Sequence, residues 1–371
     1  MYAFPMAGEV GNAFESVVVD FLSGLIGAPL FMFCIGMGVV LSRRTDAKSH
    51  LIRGIGLLTF GLLLNIVRYG LEGLVGPILL EDPTYLSLLI LVISVDIMQF
   101  AGMAFLLLAL LEKLKMGSIG TLAIGIVLSL AGTLLVGVET GIYPLDQLIG
   151  FLWGTTTESY FPLFNWFIFV AMGKLYGEYY VRIRDYARWY RVVLPVAAAL
   201  TALYLVLSLG GFLPSFSRLF SGDETGLCFI TLFDACGCIF SSITFIGLLW
   251  LILGRFDIRP FTFISRNINK YYCLSYVYII VLSGITRLEV LPQDSVLVAL
   301  GFSAIVFALV TGSILLAKRK PLSTIGAFLM GHKLAFFATV WVVGIALTVI
   351  GYVECYQIDA FPNMFNWYLD L

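Results

Sequence analysis

The sequence predicts an all-α, polytopic integral membrane protein, one bundle of about ten transmembrane helices forming a single domain over residues 1–371. Three observations carry this. Hydrophobic residues make up 60% of the chain and charged residues 12%, where a soluble domain holds roughly 25% charge. Apolar runs long enough to cross a ~30 Å hydrocarbon core recur along the whole length. The loops between them alternate in charge, basic on one side and acidic on the other.

The elements follow in order. Residues 1–16 form a leader with Glu9 and Glu15 and no Lys or Arg, the wrong charge for the start of a secretory signal. Ten apolar segments come next, at 17–41, 54–70, 88–111, 118–138, 161–181, 192–211, 228–253, 271–287, 295–317 and 334–353. The tail 354–371 closes the chain. Arg43, Arg44, Lys48 and Arg53 follow the first segment, and Lys113 and Lys115 the third. Arg182 to Arg191 follow the fifth, Arg255 to Lys270 the seventh, and Lys318 to Lys333 the ninth. The intervening loops hold mainly acids, with Arg68, Arg218 and Arg287 as exceptions. The positive-inside rule then places both termini outside. The lipid bilayer is the solvent, and the plasma membrane is the expected location.

Composition excludes several classes. The net charge of −1 says little by itself, because the charges are sorted by location; no basic block or aromatic-basic face suggests a nucleic-acid partner. The six cysteines lie mostly in apolar runs, and only two histidines exist, so neither a disulfide framework nor a metal site is expected. No internal repeat is visible, and no stretch could form a soluble catalytic domain, so chemistry belongs in the bundle or at its mouths.

Ionisable groups inside a membrane cost roughly 2.5–3.5 kcal/mol each, which makes them the first site candidates. Asp20 lies near the outer end of the first segment, Asp96 and Gln99 one turn apart in the third, and Asp234 in the seventh. Glu158 precedes the fifth, Asn165 lies within it, and Arg68 ends the second. These residues suit a polar cavity open to the outside that binds a hydroxylated or amino substrate. The bland alternative is packing, with each acid bonded across helices. On the inner side, Lys174, Glu178 and Arg182 form an i,i+4 ladder. Tyr179–Arg191 interleaves aromatic and basic residues, reading as an interfacial anchor or, on the sharper view, a site for a phosphate-bearing donor. His50 and His332 read as solvated loop residues.

Three stretches add a resemblance. Gly27-Ala-Pro-Leu-Phe-Met-Phe-Cys-Ile-Gly-Met-Gly38 runs into Leu41-Ser-Arg-Arg44; Asp96-Ile-Met-Gln99 opens an Ala/Leu-rich helix; Phe161-Pro-Leu-Phe-Asn-Trp166 leads to Gly173-Lys-Leu-Tyr-Gly177. Together, clearest over residues 25–180, they resemble the heparan-α-glucosaminide N-acetyltransferase-like family of the transmembrane acyltransferase superfamily. The resemblance implies about eleven helices, with acetyl-coenzyme A or another acyl-coenzyme A as donor and no metal. It implies transfer to a sugar amine or hydroxyl of a cell-envelope glycan. Arg43, Arg44 and Lys174 would meet the coenzyme, while Asp96, Gln99, Asn165, Glu158, Asp234 and Arg68 would bind the acceptor. A homodimer is an open assembly.

Two departures stand out. Relatives usually carry an additional first helix with a catalytic histidine near its outer end. Met1–Phe21 contains no His, so the bundle reads as lacking that helix. Asp20 and Glu15 are then the nearest candidates for the base. Phe100 stands where relatives often have Arg. A secondary transporter or flippase for a glycan or lipid-linked substrate, and an inactive family member, are the rival readings.

Overall fold

A computed structural model of the chain describes residues 21–79, 81–155, 159–212, 229–254, 256, 259–286, 296–317 and 333–358. The described residues are helical nearly throughout. The first helix, α1 (Ala28–Leu41), follows a π-helical turn at Phe21–Gly27. Next come α2 (Ala47–Asn65), a π-helical segment (Ile66–Gly70), α3 (Leu71–Leu79) and a 3-10 segment (Pro83–Ile93). They lead to α4 (Ile97–Lys113), α5 (Ser118–Leu135), the short α6 (Tyr143–Ile149) and α7 (Leu163–Tyr180). The remainder is α8 (Tyr186–Leu209), α9 (Leu232–Leu253), α10 (Arg259–Arg266), α11 (Ile268–Thr286), α12 (Val296–Leu316) and α13 (Lys333–Ile358).

Among the described residues, six stretches are long and apolar enough to cross a membrane: Gly24–Leu41, Ala47–Leu79, Ser118–Leu135, Tyr186–Leu209, Leu232–Leu253 and Lys333–Tyr356. A helical membrane bundle follows from these. The expected segments at 161–181, 271–287 and 295–317 overlap the helices Leu163–Tyr180, Ile268–Thr286 and Val296–Leu316 but fall outside that set. The segment expected as one span at 88–111 differs outright. Its 3-10 segment ends at Ile93, and α4 starts afresh at Ile97. The cause is Asp96, which caps a new helix instead of riding inside an old one.

The helices sort into two compact units. The first holds Ala13–Gly61 and Ser94–Asp257; the second holds Leu62–Ile93 and Ile258–Leu371. In the first unit α7 is the central element, buried nearly all round from Leu163 to Gly177. It packs on α1, α5, α4 and α9. The α1–α7 contact is backbone against backbone. A Cβ on Gly36 would stand 2.0 Å from the Val170 carbonyl oxygen, and one on Gly173 2.0 Å from that of Phe33. The buried face of α5 is small or polar along its length: Ser118, Thr121, Gly125, Ser129 and Gly132. Lipid offers no hydrophobic drive for helix pairing, so such small seams supply contact by close approach.

In the second unit α13 lies along the 3-10 segment, where a Cβ on Gly351 would stand 2.5 Å from the Ile90 amide nitrogen. Asn65 Nδ2 donates to the Val92 carbonyl at 3.1 Å. A separate apolar cluster joins Tyr271 to Phe302, Val306, Val310 and Ile314.

Candidate functional site

Three helices of the first unit begin at one place, and the polar residues there occupy their first turns. Asp96 is the N-cap of α4: its Oδ1 accepts from the Ile97 amide at 2.7 Å, and Gln99 Oε1 accepts from the Asp96 amide at 3.3 Å. This is a capping box, in which two side chains satisfy backbone donors left over at a helix start. Such donors are costly when buried. Thr231 and Asp234 form a second box at the start of α9. Asp234 Oδ2 accepts from Thr231 Oγ1 at 2.8 Å, and Oδ1 accepts from the Tyr204 hydroxyl of α8 at 2.7 Å.

Backbone links hold these starts together. The Tyr160 amide donates to the Val95 carbonyl at 3.0 Å, just before Pro162 opens α7. Asn165, in the first turn of α7, donates from Nδ2 to the Ile230 carbonyl at 3.1 Å, just before α9. The starts of α4, α7 and α9 therefore meet, bringing Asp96, Gln99, Asn165 and Asp234 to one end of the unit. Helix N-termini carry partial positive charge, which the Asp96 and Asp234 carboxylates meet in their capping boxes. Two buried amide atoms there have no hydrogen-bond partner among the described residues, Gln99 Nε2 and Asn165 Oδ1. They are one donor and one acceptor, fit to engage a hydroxyl, an amine or a carbonyl. Gln99 packs against Gly61 of α2, where a Cβ would stand 2.8 Å from its Cδ.

Asp234 is fully buried and bonded through both oxygens, so a stability effect is expected from its partner. Tyr204→Phe should lower the unfolding free energy by about 1–2 kcal/mol, the range for a hydrogen bond within a membrane helix bundle. Thermal melting of the purified variant in detergent checks it; an unchanged melt would show that the bond contributes nothing.

Other sequence candidates fall elsewhere. Asp20, Glu15 and Glu158 lie outside the described residues, as do Arg287 and His332. Arg68 belongs to the second unit, in the π-helical segment, with its guanidinium 4.7 Å from the Tyr69 ring and 5.2 Å from that of Tyr276. Arg43 and Arg44 are exposed in the loop after α1.

At the opposite end of α7 the ladder residues do not pair with one another. Lys174 Nζ donates to Thr121 Oγ1 at 3.3 Å, and Glu178 accepts from the Ser118 hydroxyl, both on α5. From Asn165 to Lys174 the helix climbs about 13 Å at ~1.5 Å per residue. His50 departs most from expectation. It is buried, because α2 begins at Ala47 and carries the residue into the bundle beside Phe105. Nearby Asp46, outside the helices, has its carboxyl held below the usual range by the Ser49 hydroxyl and amide. Among the described residues no cluster of His, Cys, Asp or Glu could hold a metal.

The sequence reading missed His50 as an interior residue; it had Asp96–Gln99 opening a helix but named neither capping box. The boxes had a signal, Asp96-x-x-Gln99 and Thr231-x-x-Asp234, each with a side chain of cap type three residues before a polar one.

Residues 6–207, over half of the chain, match the family described as "Heparan-alpha-glucosaminide N-acetyltransferase, catalytic". No curated protein and no solved structure matches.

Proposed function

Because the chain belongs to the heparan-alpha-glucosaminide N-acetyltransferase catalytic family, we propose that it is a membrane acyltransferase moving an acetyl or other acyl group from cytosolic acyl-coenzyme A to a sugar amine or hydroxyl of a cell-envelope glycan. The family match carries this reading. Two features of the matched region support it: a polar end at the starts of α4 and α7, and a basic end about 13 Å away along α7. A trans-bilayer transferase needs both, one for the acceptor and one for the donor.

In this reading the acceptor sits where the helix starts meet. Asn165 Oδ1 takes a hydrogen bond from its hydroxyl or amine, and Asp96 and Asp234 make the surroundings acidic. Gln99 Nε2 donates to the acyl carbonyl oxygen, which becomes an oxyanion as the acceptor attacks the thioester carbon. The acceptor's proton passes to a carboxylate, Asp20 or Glu15; collapse of the tetrahedral intermediate breaks the C–S bond, and the leaving thiolate takes that proton, so that coenzyme A departs as the thiol and the carboxylate is restored. Glu158 and Arg68 complete the proposed acceptor side, and Arg43, Arg44 and Lys174 the donor side. The site lies in the plasma membrane with both termini outside, and a homodimer is compatible with it.

The test is transfer of labelled acetyl groups from acetyl-coenzyme A in proteoliposomes to a panel of envelope sugars. Product on the acceptor is expected. Its absence across the panel, with the protein folded, would sink the proposal. One observation favours a second reading, since broken helices such as 83–113 also occur in secondary transporters. Sugar-dependent proton flux without acyl transfer would favour that reading.

A further inference from the structure

After the seventh apolar segment the sequence turns basic. Over 254–270 four bases, Arg255, Arg259, Arg266 and Lys270, stand against one acid, Asp257. Helix α10 (Arg259–Arg266) forms in this stretch, and α11 starts at Ile268. Residues 254–258 reach at most about 20 Å, so the chain holds α10 near the end of the membrane-length stretch Leu232–Leu253. That puts the helix at a membrane boundary.

The helix has two unlike faces. Phe263 and Ile264 pack on the buried cluster of Tyr271 and α12. Asn267 fixes the turn into α11: its Nδ2 donates to the Phe263 carbonyl at 2.9 Å, and its own carbonyl accepts from the Tyr271 amide at 3.0 Å. The Tyr271 hydroxyl lies 2.8 Å from Thr311 Oγ1, which ties the turn to α12. Positions 263, 264, 267 and 271 repeat with helical spacing and share that inner face. Phe261, Thr262, Ser265 and Arg266 occupy the rest of the circumference and are exposed, as is Lys270 past the turn. Phe261 is 54% exposed although it is an aromatic residue on a helix with a covered side.

An exposed ring beside exposed bases suits neither bulk water nor hydrocarbon. Water gives the ring no favourable place, and hydrocarbon gives the guanidinium none. The boundary between headgroups and acyl chains accommodates both. The excess of bases selects a negatively charged boundary.

We infer that the outer face of α10 is a docking site for anionic phospholipid. Phe261 enters the edge of the acyl region, and Arg266 and Lys270 bind headgroup phosphate, the first as a fork and the second as a point charge. Thr262 and Ser265 add hydroxyl donors between them. The positive-inside rule puts this face on the cytoplasmic leaflet, whose anionic lipids attract basic segments. The site makes no use of acyl-transfer chemistry and is tested apart from it.

Phosphatidylglycerol added to the full chain in neutral detergent is the probe, read by thermal shift. It should raise the melting temperature, while phosphatidylcholine and free glycerol 1-phosphate at the same concentration should not. Arg266→Gln with Lys270→Gln should weaken phosphatidylglycerol by about 10- to 30-fold, at roughly fivefold per base. The lipid-free melt of that double variant should match the natural protein's, because both side chains are exposed. Lys113→Gln with Lys115→Gln, which removes two exposed bases at the end of α4, should keep the full shift. Phe261→Ser should weaken the lipid with the charge unchanged. Undiminished affinity in the α10 double variant overturns the inference. So does an equal loss in the Lys113 and Lys115 variant, which would make the attraction diffuse. An equal shift from phosphatidylcholine removes the charge selection, and an equal shift from glycerol 1-phosphate makes the ligand a free phosphate; either overturns the lipid site. A lower lipid-free melt of the α10 double variant would make its two bases structural and overturn it as well. Unmoved affinity in Phe261→Ser overturns the insertion of the ring.

Discussion

Gly36→Ala should strongly destabilise the first unit, while Gly38→Ala, two residues on, should leave it intact. The two substitutions add the same methyl group to the same helix. At Gly36 that methyl would stand 2.0 Å from the Val170 carbonyl oxygen and 2.6 Å from the Lys174 amide nitrogen; at Gly38 nothing lies within 4 Å. The obstacle at Gly36 is backbone, which has no rotamer to change, so α1 and α7 must part. Overpacking costs about 1–3 kcal/mol where side chains can yield, and more is expected where they cannot. Gly38→Ala gains the roughly 0.5–1 kcal/mol by which Ala exceeds Gly in a helix. Thermal melts in detergent should separate the variants clearly. Equal melts would mean that the α1–α7 backbone approach does not hold in the folded protein. Gly173→Ala repeats the test from the other side, against the Phe33 carbonyl. Because α7 carries both Asn165 and Lys174, parting it from α1 should disturb both ends of the proposed site at once.

Close approach of this kind was only half legible in the sequence. Small residues at Gly36, Gly38, Gly173 and Gly177 announce helix contact, but composition cannot say which of them meets backbone and which meets lipid. The gross architecture was easier, because each apolar run and its flanking charge is a local property. Six membrane-length stretches among the described residues and the family assignment over residues 6–207 agree with a helical membrane bundle. The errors have a common origin in hydropathy. Averaged over a window, Asp96 is one charge within an apolar span. Physically it restarts the helix, because a carboxylate at that position satisfies amides that a buried break would otherwise leave bare. The same averaging put His50 in a loop, since Lys48 and Arg53 make its surroundings look solvated. Helical phase decides the matter instead: His50 lies on the face of α2 that meets Phe105. The ladder of Lys174 and Glu178 was legible as a spacing, but not its partners, which come from α5 and depend on how two helices cross.

Asp96 can be assigned as structural or functional by comparing two substitutions. Asp96→Ala removes the N-cap of α4, for about 0.5–2 kcal/mol, and strands a buried amide at a further ~1–3 kcal/mol. It is expected to melt well below the natural protein whatever its role, so loss of activity there would say nothing about chemistry. Asp96→Asn is the informative change. Asn caps a helix about as well as Asp, so the bond to the Ile97 amide survives and the melt should stay within ~0.5 kcal/mol. What disappears is the negative charge. If Asp96 orients the acceptor in the proposed transfer, kcat/KM for the sugar should fall by about 10- to 100-fold, the worth of a charge-assisted hydrogen bond, with donor affinity unmoved. Full activity in a stably folded Asp96→Asn protein would confine the residue to its capping box. The acceptor would then be left to Asn165 Oδ1 and Gln99 Nε2, buried atoms at these helix starts without a hydrogen-bond partner among the described residues.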